Sequence, residues 1–194
     1  MRRLLPLLVL ALLAGSCGDA GSSTSATTTA PPRAGLVDPC PRSEPQFPVI
    51  VVSPTESMTI TERPERIVSL SATHTEMLYA IGAADQVAGT DLTSDYPSEA
   101  MDTPKVDSFA FNLEEVLALD PDLVLLAFDF SGEVDALRAA GVGALLLPPA
   151  ADLDEMAQQF RIVGQATGNS IVACEEVNRL RREINSLFDA YELP

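Results

Sequence analysis

The stretch Arg66-Ile67-Val68-Ser69-Leu70-Ser71-Ala72-Thr73-His74-Thr75-Glu76-Met77-Leu78-Tyr79-Ala80-Ile81-Gly82, continued by Val87-Ala88-Gly89, decides how this chain folds. Ile67, Val68 and Leu70 form a short apolar run with Pro64 ahead and small polar residues behind, the pattern of a buried strand. A helix is expected directly after it. Thr73 and Glu76 have the spacing of a Thr-x-x-Glu capping box, Met77, Leu78 and Ile81 supply an apolar face, and Gly82 supplies a stop. The apolar run at 87–89 then completes a strand-helix-strand unit, which requires a parallel sheet. Ligands of open parallel sheets sit outside the carboxyl ends of the strands, so residues 69–74 form a candidate binding edge.

The alternation continues on both sides of this unit. Runs at 49–52 and 58–61 flank Ser53-Pro54-Thr55-Glu56, which reads as a hairpin. Asn112-x-x-Glu115 caps a helix that Asp120-Pro121 ends. Residues 122–127, centred on Leu123-Val124-Leu125-Leu126, read as a strand buried on both faces. A short helix at 134–140 closes at Gly141, and a strand at 144–147 stops at Pro148-Pro149. Asp152-x-x-Glu155 caps a helix running to about Gly168. The last helix, 170–191, carries Val177, Leu180, Ile184, Leu187 and Tyr191 as one apolar stripe. The fold class that follows is α/β, a Rossmann-like parallel sheet flanked by helices, plus a long C-terminal helix.

At 194 residues the chain is long enough for one domain with a sizeable core. Its formal charge of −16 makes nucleic acid and anionic lipid unsuitable partners. Arg2 and Arg3, the apolar run 4–14 and the small residues Gly15 and Ser16 have the three parts of a secretory signal. The following Cys17 resembles the lipidated cysteine of bacterial lipoproteins, which implies an extracytoplasmic protein held at the outer face of the membrane. Residues 17–46 then read as a flexible tether. Cys40 and Cys174 remain. An oxidising compartment favours a bridge between them, and two separate thiols are the alternative.

A family resemblance enters through several motifs together: Arg63-Pro64-Glu65-Arg66-Ile67-Val68-Ser69-Leu70-Ser71 with Thr75-Glu76, Asp95-Tyr96-Pro97, Pro104-Lys105-Val106, and Asn112-Leu113-Glu114-Glu115-Val116-Leu117-Ala118-Leu119-Asp120-Pro121-Asp122-Leu123-Val124. In combination they resemble the substrate-binding proteins of ABC importers for iron-siderophores, haem and vitamin B12. The resemblance covers roughly residues 62–192. It implies two α/β lobes of a class III binding protein joined by one long helix, with the ligand between them. On that reading 1–16 is the signal, 17–46 the tether, 47–168 the N-terminal lobe and 169–194 the interlobe helix, with the second lobe absent. The family's ligand groups lie on loops after the strands, which implies Ser71, Thr73, His74, Thr93, Phe109, Phe128 and Phe130 here. Phe109, Phe111, Phe128 and Phe130 also stand out independently as rings in loop or strand-end positions. Glu114 is expected to meet arginines of the permease; an acidic residue complementing a helix start is the plainer account.

Other chemistry is disfavoured. His74 is the one histidine, so a serine hydrolase would need it beside Ser69 or Ser71, and no Gly-x-Ser-x-Gly elbow is present. A receptor for bare metal ions needs more His and carboxylate ligands than His74 with Asp91 or Asp95 provides. The first strand-to-helix turn lacks a dinucleotide glycine fingerprint. The chain is therefore expected to be no enzyme, to have no catalytic residue, metal site or cofactor, and to have as partners a siderophore, haem or corrinoid ligand, a permease and the membrane. A single-lobe remnant or surface interaction module is the alternative. The expected rim, Asp91, Asp95, Asp107 and Asp129 with only Lys105 opposing, favours a neutral or cationic chelate.

Overall fold

The structure, a computed structural model, describes residues 39–191. The expected signal, Cys17 and the tether as far as residue 38 lie outside these. The first described element is an antiparallel hairpin of β1 (Val49–Val52) and β2 (Ser57–Ile60), with Val49 opposite Ile60 and Val52 opposite Ser57. Its turn is held by Ser53, whose Oγ accepts from the amides of Thr55 and Glu56 at 3.3 and 3.2 Å. Val49 and Val51 face inward, while Ile50 and Val52 face out, as the period of two along a strand requires.

The main sheet follows: β3 (Ile67–Leu70), α1 (Ala72–Ala80), β4 (Val87–Asp91), β5 (Lys105–Val106), α2 (Leu113–Leu117), β6 (Leu123–Leu126), α3 (Glu133–Ala139), β7 (Gly143–Leu146), α4 (Leu153–Thr167) and α5 (Ser170–Ala190). Its five strands lie in the order β5-β4-β3-β6-β7, all parallel. One face is covered by the hairpin with α1, α4 and α5, where Leu78, Ile81, Phe160, Val163 and Val177 pack on Ile67, Leu123, Leu125 and Leu145. On the other face Val116 of α2 and Val134 and Leu137 of α3 pack on Val68, Leu70, Val124 and Leu126. Strand β6 sits between the two layers, and all four of its residues are buried. Each such aliphatic side chain contributes about 1.5–3 kcal/mol when fully removed from water.

Local caps explain most helix ends. Asn112 Oδ1 accepts from the amide of Glu114 at 3.0 Å, and Asp152 Oδ1 from those of Asp154 and Glu155 at 2.9 Å. The first helix corrects the expectation. Its N-cap is Ser71, without a side-chain cap, and Thr73 and Glu76 both lie inside it, so no Thr-x-x-Glu box forms. The reason is the close of β3: the Thr75 amide reaches the Ser71 carbonyl at 2.9 Å, and the helix begins two residues before Thr73 could cap it.

The start of α5 is capped from far along the chain. Asn169, its N-cap, makes no side-chain cap; Glu44 instead accepts from the amides of Ser170 at 2.5 Å and Ile171 at 3.3 Å. Four residues earlier, Cys40 is disulfide-bonded to Cys174, with Cα atoms 5.5 Å apart. The described end of the expected tether is thus pinned to this helix. Helices α4 and α5 approach so closely that a Cβ on Gly164 would come within 2.4 Å of the Ala173 Cβ. Along α5 the expected stripe divides: Val177 is buried and Leu180 and Ile184 half-buried, whereas Leu187 and Tyr191 are exposed.

Candidate functional site

The strand order places a topological switch between β3 and β6, because the chain leaves β3 toward β4 and β5 and then returns to the opposite side for β6 and β7. Loops leaving the carboxyl ends of these two strands must part, and the parting opens a crevice. A cleft of about 210 Å³ lies there. From β3 and the start of α1 it receives Leu70, Ser71, Ala72 and Thr73, and from the end of β4, Asp91 and Thr93. The segment before α2 adds Ser108, Phe109 and Phe111, and the segment after β6 adds Ala127, Phe128, Phe130 and Glu133.

Of the expected ligand residues, Ser71, Thr73, Thr93, Phe109, Phe128 and Phe130 therefore come together at one cleft. Phe109, Phe128 and Phe130 are exposed and Phe111 half-buried, so four rings line a mouth that water reaches. Phe128 and Phe130 stack on each other. Phe109 is presented by an Asx turn, in which Asp107 Oδ1 accepts from the amides of Phe109 and Ala110, each at 2.9 Å. These two donors hold the Asp107 carboxyl below its usual pKa.

Beneath the rings is a buried polar lattice. Thr75 Oγ1 donates to Ser69 Oγ at 2.9 Å and lies 2.8 Å from Ser94 Oγ, tying α1 and β3 to the loop after β4. Asp91, buried at that strand end, accepts from the Thr93 amide at 3.2 Å and from the hydroxyls of Thr93 and Ser94. Lys105 Nζ donates to Thr90 Oγ1, Ser94 O and Ala100 O at 2.8, 2.5 and 2.9 Å, closing the same loop from β5. The loop that carries Thr93 is fixed from both ends.

His74 departs from expectation. It lies within α1, is 1% exposed, and does not line this cleft. It lines a neighbouring cavity of about 510 Å³ with Met77, Met156 and Gln159. Burial lowers its pKa from 6.5 to about 4, against the opposing pull of a Leu147 backbone hydrogen bond and of Asp91, so the imidazole is neutral at pH 7. Its Nδ1 has no hydrogen-bond partner. Its place within α1 turns it toward Leu147 and toward Met156 and Gln159 of α4.

Glu133 was not among the expected residues. It opens α3 directly after Gly132, whose φ of +88° turns the chain, and it is 6% exposed at the cleft. An acidic residue directly after Gly132 was the available signal, but an expected helix start at Val134 left it in the loop. Glu114 is exposed in the first turn of α2.

Residues 67–191 match the family model described as periplasmic binding protein. A Bacillus subtilis protein described as an uncharacterized ABC transporter substrate-binding lipoprotein, YvrC, is 32% identical over 146 residues, covering 73% of this chain and 46% of that protein. The vitamin B12-binding protein of Yersinia pestis is 32% identical over 130 residues, covering 66% and 46%. The crystal structure of a periplasmic heme-binding protein from Pseudomonas aeruginosa superposes with a TM-score of 0.62 at 26% identity, covering 65% of this chain and 46% of that one. The chain thus spans about half the length of the curated relatives it matches. With its sheet order, its crevice and the match of 125 residues across both, the chain belongs to the periplasmic binding protein family.

Proposed function

We propose that this chain is the ligand-capturing component of an ABC importer, held at the outer face of the membrane by a lipidated Cys17. It takes a metal chelate of the siderophore, corrinoid or haem class into the cleft at the switch point and delivers it to a permease. The observation that carries this reading is the convergence of Ser71, Thr73, Thr93, Phe109, Phe128 and Phe130 on one crevice from four separate segments. Rings with a few hydroxyls suit a large, mostly apolar ligand with polar edges. Residues 47–168 serve as the first lobe, and α5 as a strut whose exposed Leu187 and Tyr191 give a second lobe something to rest on. Glu114, free of the cleft and exposed on α2, is the docking residue for permease arginines. The relatives named above support the same class of activity.

Calorimetric titration of the full chain with a ferric trihydroxamate, a corrinoid and haem tests the reading. Binding of at least one at micromolar or lower dissociation constant is the expected result, and its weakening in Phe128→Ala places it in the cleft. Absence of heat with all three overturns it.

A further inference from the structure

We infer that the cleft selects its chelate by charge, accepting ligands that carry a positive charge and excluding anionic ones. This rests on the importer reading and narrows its ligand.

Two carboxyl groups, Asp91 and Glu133, line the cleft, at 1% and 6% exposure, and among the described residues no Lys, Arg or His lines it. Neither forms an ion pair among the described residues. Asp91 is held by the neutral donors of Thr93 and Ser94, and Glu133 accepts from the Ser131 amide at 2.8 Å. Lys105, the one cation expected to oppose them, turns its ammonium into its own loop on Thr90, Ser94 and Ala100. Between the two cleft rings Phe128 and Phe130, Asp129 is exposed, and hydrogen bonding from Glu133 and from the backbone at the start of α3 holds its carboxyl below its usual pKa. The exposed rings of Phe109, Phe128 and Phe130 add faces that attract cations and repel anions. Low-dielectric walls of this kind strengthen the field of the acids in the crevice, where a ligand displaces water.

The test is a series of ferric trihydroxamates with one metal-binding core and one pendent amine: the free ammonium, the N-acetylated neutral form and the N-succinylated anion. Calorimetry on the full chain at low salt should give affinities falling in that order, by about tenfold per unit of charge. The steps should shrink at high salt. An aquo-corrinoid cation should likewise bind more tightly than its neutral cyano-liganded form. The Asp129→Asn, Glu133→Gln double variant should shrink the steps of the series, with Asp91 supplying what remains; steps as large as in the parent chain would count against the inference. Equal affinities across the charges in both series overturn the inference and leave the importer reading intact, as does binding of haem, with its two propionates, in preference to the cationic chelates. Silence from every chelate overturns both.

Discussion

The rings of Phe128 and Phe130 lie face to face at the mouth of the cleft, their centroids 5.1 Å apart and their planes 13° from parallel. Both stay open to water, at 47% and 65% exposure, so the pair holds up little of the core. A stacked pair of this kind contributes about 0.5–1.5 kcal/mol beyond its buried area. Phe128→Ala and Phe130→Ala should each weaken chelate binding about tenfold in calorimetry while moving the thermal midpoint by no more than about 2 °C. A large fall in midpoint would make the rings part of the fold instead.

Lys105 holds the loop between β4 and β5 by three hydrogen bonds from a single ammonium. Bonds from a charged donor are each worth about 1.5–3 kcal/mol, so Lys105→Met should release the loop and leave the sheet in place. Hydrogen exchange should rise at 92–104 and stay slow in β3 and β6. Ligand affinity should fall several-fold, because Thr93 is carried on that loop.

His74 links stability to acidity. Above pH 6.5 the imidazole is neutral in both the folded and the unfolded chain and contributes no pH dependence. As the pH falls from 6.5 to about 4 the unfolded chain takes up a proton that the buried site refuses, so the folded state loses ground. Below about pH 4 both forms are protonated and the loss stops growing, at about 3 kcal/mol in total. Urea unfolding at pH 7.5 and pH 4.5 should show His74→Gln losing less stability than the parent chain over this interval. An identical loss in the two would remove His74 as the cause.

The bridge between Cys40 and Cys174 closes a loop with a sequence separation of 134 residues. Cross-links across loops this long restrict the unfolded chain by about 4–5 kcal/mol in the chain-entropy account, with measured values often lower. The double variant Cys40→Ser, Cys174→Ser should lower the urea midpoint strongly and raise amide exchange at Ser170 and Ile171, because Glu44 loses its tie to α5. Unchanged exchange at these two amides would show that Glu44 caps the helix without the bridge.

Local chemistry made much of this protein legible before folding. The apolar run Leu123-Val124-Leu125-Leu126 is a strand because continuous burial on two faces needs no information beyond the run itself. Asn112 and Asp152 cap helices through amides two and three residues away, so their roles are written within four positions. That the phenylalanines after β5 and β6 share one edge follows for the same reason: parallel strands put their carboxyl ends on one side.

What only the tertiary structure decided depends on residues far apart in the chain. Glu44 caps a helix that begins 126 positions later, and no local pattern encodes that partnership. His74 is a buried neutral base because α1 turns it toward the Leu147 end of the sheet, and Lys105 is no counter-charge because its loop folds back over it. Glu133 reaches the cleft through the turn at Gly132. Spacing along the chain determines which side chains share a face of one element; where two elements meet, and hence which charges share a crevice, is determined by the packing of the whole sheet.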